Sequence, residues 1–413
     1  MNVASAGDPE ASPADLVASQ QSEAVPPLAN SRDRFLDLLR LVSVLRVVAL
    51  HAATKPPVIY LPWIQWIFPG MPEVFFVSGV VTAAALRKRG ATGVVVKRLR
   101  RLLPPYYVYA AVALAVMYVT DARSAAPDAS LDRGDWLSFL LPVVRPTGSV
   151  TRVVLWGHLW FLTSFLWVLT LSPLLHWLYQ KVKLWSLLVH LLAFALVISA
   201  QKFGWFPVRS EYIDIAMFGW FFQLGFAYND GTLLHAGGPQ LRFASSPTRG
   251  SFSDRQAGSG TLQRLNPRKH VAFGLGLLAV GWLVAMRIEP IWRKSAGSLK
   301  PNELYSSSSA HFLVGAGWMF LAFAARVPIT NWLSRHRARV VDVVTQRTYT
   351  LFIWGPAANA VAMAASRKIG GSEGNLVVYL SVTAGTLLSL VLLFGWIEDW
   401  ASSRKPRLLP SWT

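Results

Sequence analysis

The chain contains no cysteine, which excludes disulfides and thiol chemistry and leaves its redox compartment unreadable. Charge is also scarce. Lys, Arg, Asp and Glu make up 15% of the 413 residues, whereas a soluble domain is about a quarter charged. With 53% hydrophobic residues and a mean hydropathy of +0.38, a soluble globular fold is excluded. The charge that is present is mostly of one sign, a formal net +19. Its basic residues stand in short clusters between apolar runs and not along one face, so no nucleic-acid partner is expected. Eighteen Trp residues suit a membrane–water interface, where the ring is apolar and its N–H stays wet. Residues 1–31 are rich in Ala, Ser, Pro, Asp and Glu. They lack a basic segment leading into an apolar core, and read as a disordered cytoplasmic tail instead of a signal peptide.

Stretches near the ~20 apolar residues that cross a bilayer recur ten times, at 36–58, 68–87, 103–121, 153–179, 183–201, 212–229, 270–288, 309–326, 348–365 and 376–397. The fold expected is all-α, a polytopic transmembrane helical bundle. Lys and Arg set its orientation. With the N-terminus inside, the inner loops hold Arg87–Arg101, Arg242–Lys269 and Arg326–Arg347, while the outer loop 122–152 is near charge balance. Ten spans then put both termini in the cytoplasm, with a short basic tail at 401–413. Residues 32–400 form one transmembrane domain, interrupted by a flexible Gly-, Ser-, Pro- and Arg-rich loop at 230–269. The expected location is the plasma (inner) membrane, multi-pass, with the lipid bilayer as partner.

Ionisable side chains inside apolar spans are costly, and each is a candidate for function. The first span carries Asp37, Arg40, Arg46 and His51. At about 100° per residue, Arg40 and His51 lie roughly 20° apart on the wheel, separated by ~16 Å along the axis. Asp37 shares their side and Arg46 points away. The bland alternative is a snorkelling Arg40 and a His51 that only joins helices. Glu73 and His51 are equidistant from the turn near Pro62, so an antiparallel pair could bring them together, directly or through water. A carboxylate there would raise the basicity of His51. Otherwise Glu73 sits in the outer interface. The small pair Ser78-Gly79 and the run Gly274-Leu-Gly276 read as helix packing. Arg98, Arg100 and Arg101 are denser than orientation requires. Guanidinium groups bind phosphates bidentately, which points to a phosphorylated cytosolic ligand. His158 stands between Trp156 and Trp160, in an aromatic belt or a cavity wall. No zinc-ligand spacing, phosphate loop or nucleophile elbow is present, and no metal is expected.

Taken in order, these segments resemble the acyltransferase-3 family of integral membrane enzymes, related to O-antigen and exopolysaccharide acetylases. The resemblance rests on Arg40 with ten residues before His51, and on Phe75-Phe76-Val77-Ser78-Gly79. Arg98-Leu-Arg100-Arg101-Leu-Leu-Pro104-Pro-Tyr106 and His158-Leu-Trp160-Phe161-Leu162 complete it. It implies transfer of an acyl group, acetyl in most members, from cytosolic acyl-CoA to a hydroxyl of a carbohydrate, another cell-envelope acceptor or a secondary metabolite. His51 would then be the general base, oriented by Glu73, with Arg40 positioning the donor or stabilising developing charge. Arg98, Arg100 and Arg101 would hold the coenzyme A phosphates, and His158, Trp160, Asp37 and Tyr106 would contact substrate. Acyl-CoA is a co-substrate, and no permanently bound cofactor is implied. The chain departs from the family at Phe165, where some members have Glu, and at Tyr349–Gly355, where many have His. The rival readings are a proton-coupled transporter, for which no discontinuous helices or paired repeats are visible, and an inactive membrane scaffold.

Overall fold

The structure, a computed structural model, describes residues 33–53, 70–121, 139–142, 157–205, 210–233, 267–284, 309–335, 341, 344–370 and 375–406. Within these, ten α-helices follow one another: α1 Arg34–Ala53, α2 Met71–Arg89, α3 Ala91–Asp121, α4 Trp160–Val182, α5 Trp185–Phe203, α6 Ser210–Asn229, α7 Pro267–Leu283, α8 Ser309–Arg335, α9 Thr348–Gly370 and α10 Leu376–Ala401. A 3-10 turn, Gly157–Leu159, leads into α4. Each expected span overlaps one helix, and among the described residues no strand forms. Four helical stretches are long and apolar enough to cross a membrane, namely Ala91–Val119, Trp160–Val182, Ser309–Arg335 and Leu376–Ala401. All ten helices belong to one compact unit, Arg34–Gln240 with Ala257–Thr413. The expected N-terminal tail, most of the 230–269 loop and the end of the C-terminal tail lie outside the described residues.

Two helices run beyond the expected spans. The sequence puts the Lys97–Arg101 cluster in a loop, but α3 is helical from Ala91. Gly90, at φ 74, breaks the chain direction between α2 and α3. Nothing after it stops a new helix until Pro104 and Pro105, which sit inside α3 and remove the donors that the carbonyls of Arg100 and Arg101 would otherwise meet. α8 likewise continues past position 326 through Pro328 to Arg335.

In lipid, apolar contact alone gives little drive for helices to associate, so close backbone approach matters. The α2–α6 and α7–α8 pairs are among the most extensively packed, and both cross on glycine. A Cβ on Gly79 would stand 2.0 Å from the Phe222 carbonyl oxygen, and one on Gly225 would stand 2.4 Å from that of Phe76. Gly274 and Gly317 face each other in the same reciprocal way, at 2.9 and 2.8 Å, while a Cβ on Gly276 would meet open space. Of the expected packing glycines, Gly79 and Gly274 are at contacts and Gly276 is not. Around these crossings the core is aromatic. The Phe75 ring stacks on Phe218 at 4.5 Å and meets Phe161 edge-on at 5.2 Å.

Polar contacts gather the basic helix ends at one end of the bundle. Arg34 at the start of α1 donates to the Leu333 carbonyl near the end of α8, and Arg87 at the end of α2 donates to the Asn229 carbonyl at the end of α6. Tyr179 near the end of α4 donates to Asp230, just past α6. Far along α9, the Ser366 hydroxyl bridges the backbone of Asn375, whose side chain caps α10 at the Val378 N–H.

Gly79→Ala is expected to destabilise the protein by roughly 1–3 kcal/mol through overpacking, whereas Gly276→Ala should cost nothing measurable; thermal unfolding of the two variants in detergent checks the contrast.

Candidate active site

The basic end of the bundle holds a cavity of about 710 Å³, a size ordinary for small-molecule sites. Three elements supply its cations. Arg40 comes from α1, Lys97, Arg98, Arg100 and Arg101 from the first turns of α3, and Arg404 from the turn after α10. No carboxylate lines it among the described residues. Inward, the wall becomes apolar and aromatic, with Val44, Val74, Phe161, Phe165 and Phe352. The cavity is therefore a basic mouth leading to an apolar end, a shape suited to a ligand with an anionic head and a neutral tail.

The mouth is braced by two buried carboxylates at the end of α10. Glu398, 1% exposed, accepts from Arg101 at 3.2 Å and from both the N–H and the hydroxyl of Thr350, at 3.0 and 2.9 Å. Thr350 is in the first turn of α9, where N–H groups lack helical partners and the helix dipole favours a negative charge. Glu398 thus caps α9 while holding α3. Its neighbour Asp399 pairs with Arg347 at 3.2 Å. Arg347 is 2% exposed and lies along one face of α10. It donates to the Val391 carbonyl and crosses Gly395, where a Cβ would approach its Cδ within 2.6 Å. The Tyr349 hydroxyl donates to the Leu102 carbonyl, a second tie between α9 and α3. The sequence reading counts Arg347 and Arg404 only as orientation charges and does not pick out Glu398 or Asp399. The Glu398-Asp399 pair is the visible signal, two acids ending an otherwise apolar run.

Beyond the cavity's aromatic end lies a pair of histidines. The rings of His51 in α1 and His158 in the 3-10 turn are 6.5 Å apart, centre to centre. Tyr109 of α3 meets His158 edge-on at 5.5 Å, and Phe352, which also lines the cavity, is 6.1 Å away. His158 is buried and His51 half-buried. Phe161 and Phe352, 4.8 Å apart, stand between the basic cavity and this pair.

The residues singled out in the sequence thus divide into groups. Arg40, Arg98, Arg100 and Arg101 share the cavity, and His51 and His158 share the space above it. Glu73 belongs to neither. It is fully buried, its carboxylate makes no side-chain hydrogen bond among the described residues, and its electrostatic neighbour is Arg46. The direct Glu73–His51 hydrogen bond is therefore not formed, because α2 turns the carboxylate toward the side of α1 that carries Arg46. His311 of α8 also lies within electrostatic reach of Arg46. Trp160 packs on Phe218 and Phe161, and Asp37 is buried near the start of α1; neither lines the cavity. Tyr106 donates to the Phe139 carbonyl, and Tyr107 beside it to that of Leu140. Tyr106 is thereby a tether for the segment preceding α4. Phe165, at the position where Glu was a possibility, packs against Phe75 and Phe161. Tyr109, absent from the sequence reading, is the aromatic partner of His158; it lies one helical turn beyond Pro105 in an apolar run that gives no hint of it.

With this geometry in hand, comparison with known protein families matches residues 33–395 to the acyltransferase-3 family, described as an acyltransferase domain. The chain belongs to that family. It is a membrane acyltransferase, and the transporter reading is left without support. No curated protein and no solved structure matches the chain. In this acyltransferase the arginine and histidine segments lie in sequence from the basic cavity to the histidine pair.

Arg347→Leu leaves Asp399 buried beside only the distant Arg404 and is expected to cost roughly 3–5 kcal/mol. The double variant Arg347→Leu/Asp399→Leu should regain most of that stability, and a double-mutant cycle of thermal unfolding in detergent measures both.

Proposed function

We propose that the protein is a plasma-membrane O-acyltransferase. In this reading it moves an acyl group, acetyl in the simplest case, from cytosolic acyl-CoA to a hydroxyl of a carbohydrate or other cell-envelope or secondary-metabolite acceptor. The chain would cross the bilayer ten times with both termini in the cytoplasm, which sets the cavity mouth on the cytosolic side. The observation that carries the reading is the cavity itself. Among the described residues its wall has six cations and no carboxylate at the mouth, then an apolar throat that ends one aromatic layer short of two histidines. Coenzyme A has that polarity, with phosphates at one end and an acyl thioester at the other.

The reaction then runs as follows. The phosphates rest on Arg98 and Arg100, with Arg101 shared with Glu398. The thioester passes Phe161 and Phe352 to reach His51 and His158. His51 takes the proton of the acceptor hydroxyl, and the oxygen attacks the thioester carbonyl. Collapse of the tetrahedral species expels the coenzyme A thiolate, which takes that proton from the imidazolium. Ester and free thiol leave with no net proton change. Arg40 opens on the cavity, while His51, ~16 Å further along α1, does not line it. Arg40 therefore positions the donor and is too far to stabilise the oxyanion. His158, buried against Tyr109 and Phe352, faces the same space and orients the reacting groups.

Because the chain has no cysteine, coenzyme A thiol released by purified protein in nanodiscs is detected without background. His51→Ala is expected to lower acyl-CoA turnover with an acceptor panel by about 10²-fold or more, and His158→Phe by less. Equal turnover in wild type and His51→Ala would remove His51 as the base.

A further inference from the structure

The last helix ends in a closed turn whose side chains the reaction above does not use. The Arg404 N–H returns to the Asp399 carbonyl at 2.9 Å and the Ser403 N–H to that of Trp400 at 2.9 Å, the paired bonds of a Schellman closure. The left-handed position of such a closure is normally glycine. Here it is Ser403, at φ 58, a conformation that an L side chain adopts at a cost. The closure folds residues 401–404 back onto the basic cavity, where Ser402 and Arg404 both line the wall. The Ser402 hydroxyl is buried and has no hydrogen-bond partner among the described residues. Arg404 is only loosely held. Its distance to Asp399 is 3.9 Å, against 3.2 Å for Arg347, and its side chain is 47% exposed. Asp399 therefore anchors the turn mainly through Arg347, and Arg404 keeps most of its charge for the cavity. A poorly neutralised guanidinium and, two residues before it, a hydroxyl without a hydrogen-bond partner, on a wall that shows no carboxylate among the described residues, form an anion site.

We infer that the turn after α10 is part of the donor site, with the Ser402 hydroxyl and the Arg404 guanidinium binding the ribose 3′-phosphate of acyl-CoA. The inference rests on the acyl-CoA reading above. Position assigns the phosphate. The acyl end must reach the histidines beyond Phe352, so the opposite end of the molecule rests at the outermost rim. Arg404, three residues past the end of α10 and closing the turn on Asp399, is on that rim. Arg98 and Arg100, on α3, are left for the diphosphate.

The test compares coenzyme A with 3′-dephospho-coenzyme A, which differ in that phosphate alone, by calorimetric titration of the full chain in nanodiscs. Wild type should bind coenzyme A more tightly. Arg404→Ala should weaken coenzyme A binding roughly tenfold, the size of one charge-assisted contact, and leave 3′-dephospho-coenzyme A within about twofold. Ser402→Ala should shift binding in the same direction by less, and Arg404→Lys, which keeps the charge, should recover part of the loss. Equal weakening for both nucleotides, or none for either, would overturn the assignment, since a role confined to bracing α10 cannot tell them apart. Wild type binding both nucleotides equally would overturn it while leaving the donor reading intact. Binding of neither nucleotide by wild type would overturn the donor reading itself.

Discussion

A carboxylate without water around it must find hydrogen-bond donors or lose its charge, and Glu398 finds three at the place where α3, α9 and α10 meet. Its oxygens receive the first-turn N–H and hydroxyl of Thr350 and the guanidinium of Arg101. An acid at the C-terminal end of α10 opposes that helix's own dipole; the same acid at the N-terminal end of α9 is favoured by the dipole it caps. The arrangement is stable only when both helices hold this register, so Glu398 sets where α9 begins relative to α10. The wall of the cavity follows from it, because Thr348, Tyr349 and Phe352 line one side and Arg101 and Leu102 the other. Asp399 and Arg347 repeat the device one residue along, with Gly395 leaving room for the long side chain to cross.

In the other half of the bundle the helix crossings themselves carry no charge. α2 meets α6, and α7 meets α8, at glycines that let one backbone press on the next. This leaves the wall of α2 that faces the cavity smooth and places Phe75 at the centre of an aromatic cluster with Phe161, Phe165 and Phe218. That cluster holds the start of α4 against α2 and α6, while Tyr109 of α3 meets His158. The site thus combines an ionic frame at the mouth with a packed frame at the histidines, and the two meet at Phe161 and Phe352. A molecule that reaches from one to the other has to pass through an apolar layer, and a less polar surrounding strengthens any electrostatic interaction made beyond it.

Apolar length and basic flanks were enough to read ten helices and the end at which their charges collect, because each segment must satisfy its own backbone in lipid and so carries its signal locally. The same local rule made Gly79 and Gly274 readable as packing positions. It failed for Lys97–Arg101, since a charged stretch with no apolar period gives no sign that α3 has already begun. The membership in a family of membrane acyltransferases was likewise legible in short segments, those around Arg40, Phe75, Arg98 and His158, which keep their order and spacing along the chain.

Which of those residues share a site was decided only by the tertiary structure. A helical wheel separates Arg46 from Arg40 but cannot say that Glu73 will lie beside Arg46 instead of His51; that depends on how α2 rotates against α1 once Gly79 has seated on Phe222. Nor can sequence order show that His51 and His158, more than a hundred positions apart, bring their rings to 6.5 Å. The acids at 398 and 399 look like the edge of the last span until α9 and α3 are placed against them. The sequence by itself determined the helices, their polarity and the chemical class of the enzyme, because these depend on neighbours along one chain segment. The cavity, its ionic bracing and the partners of each buried charge depend on rotations and crossings between helices, and only packing chooses those.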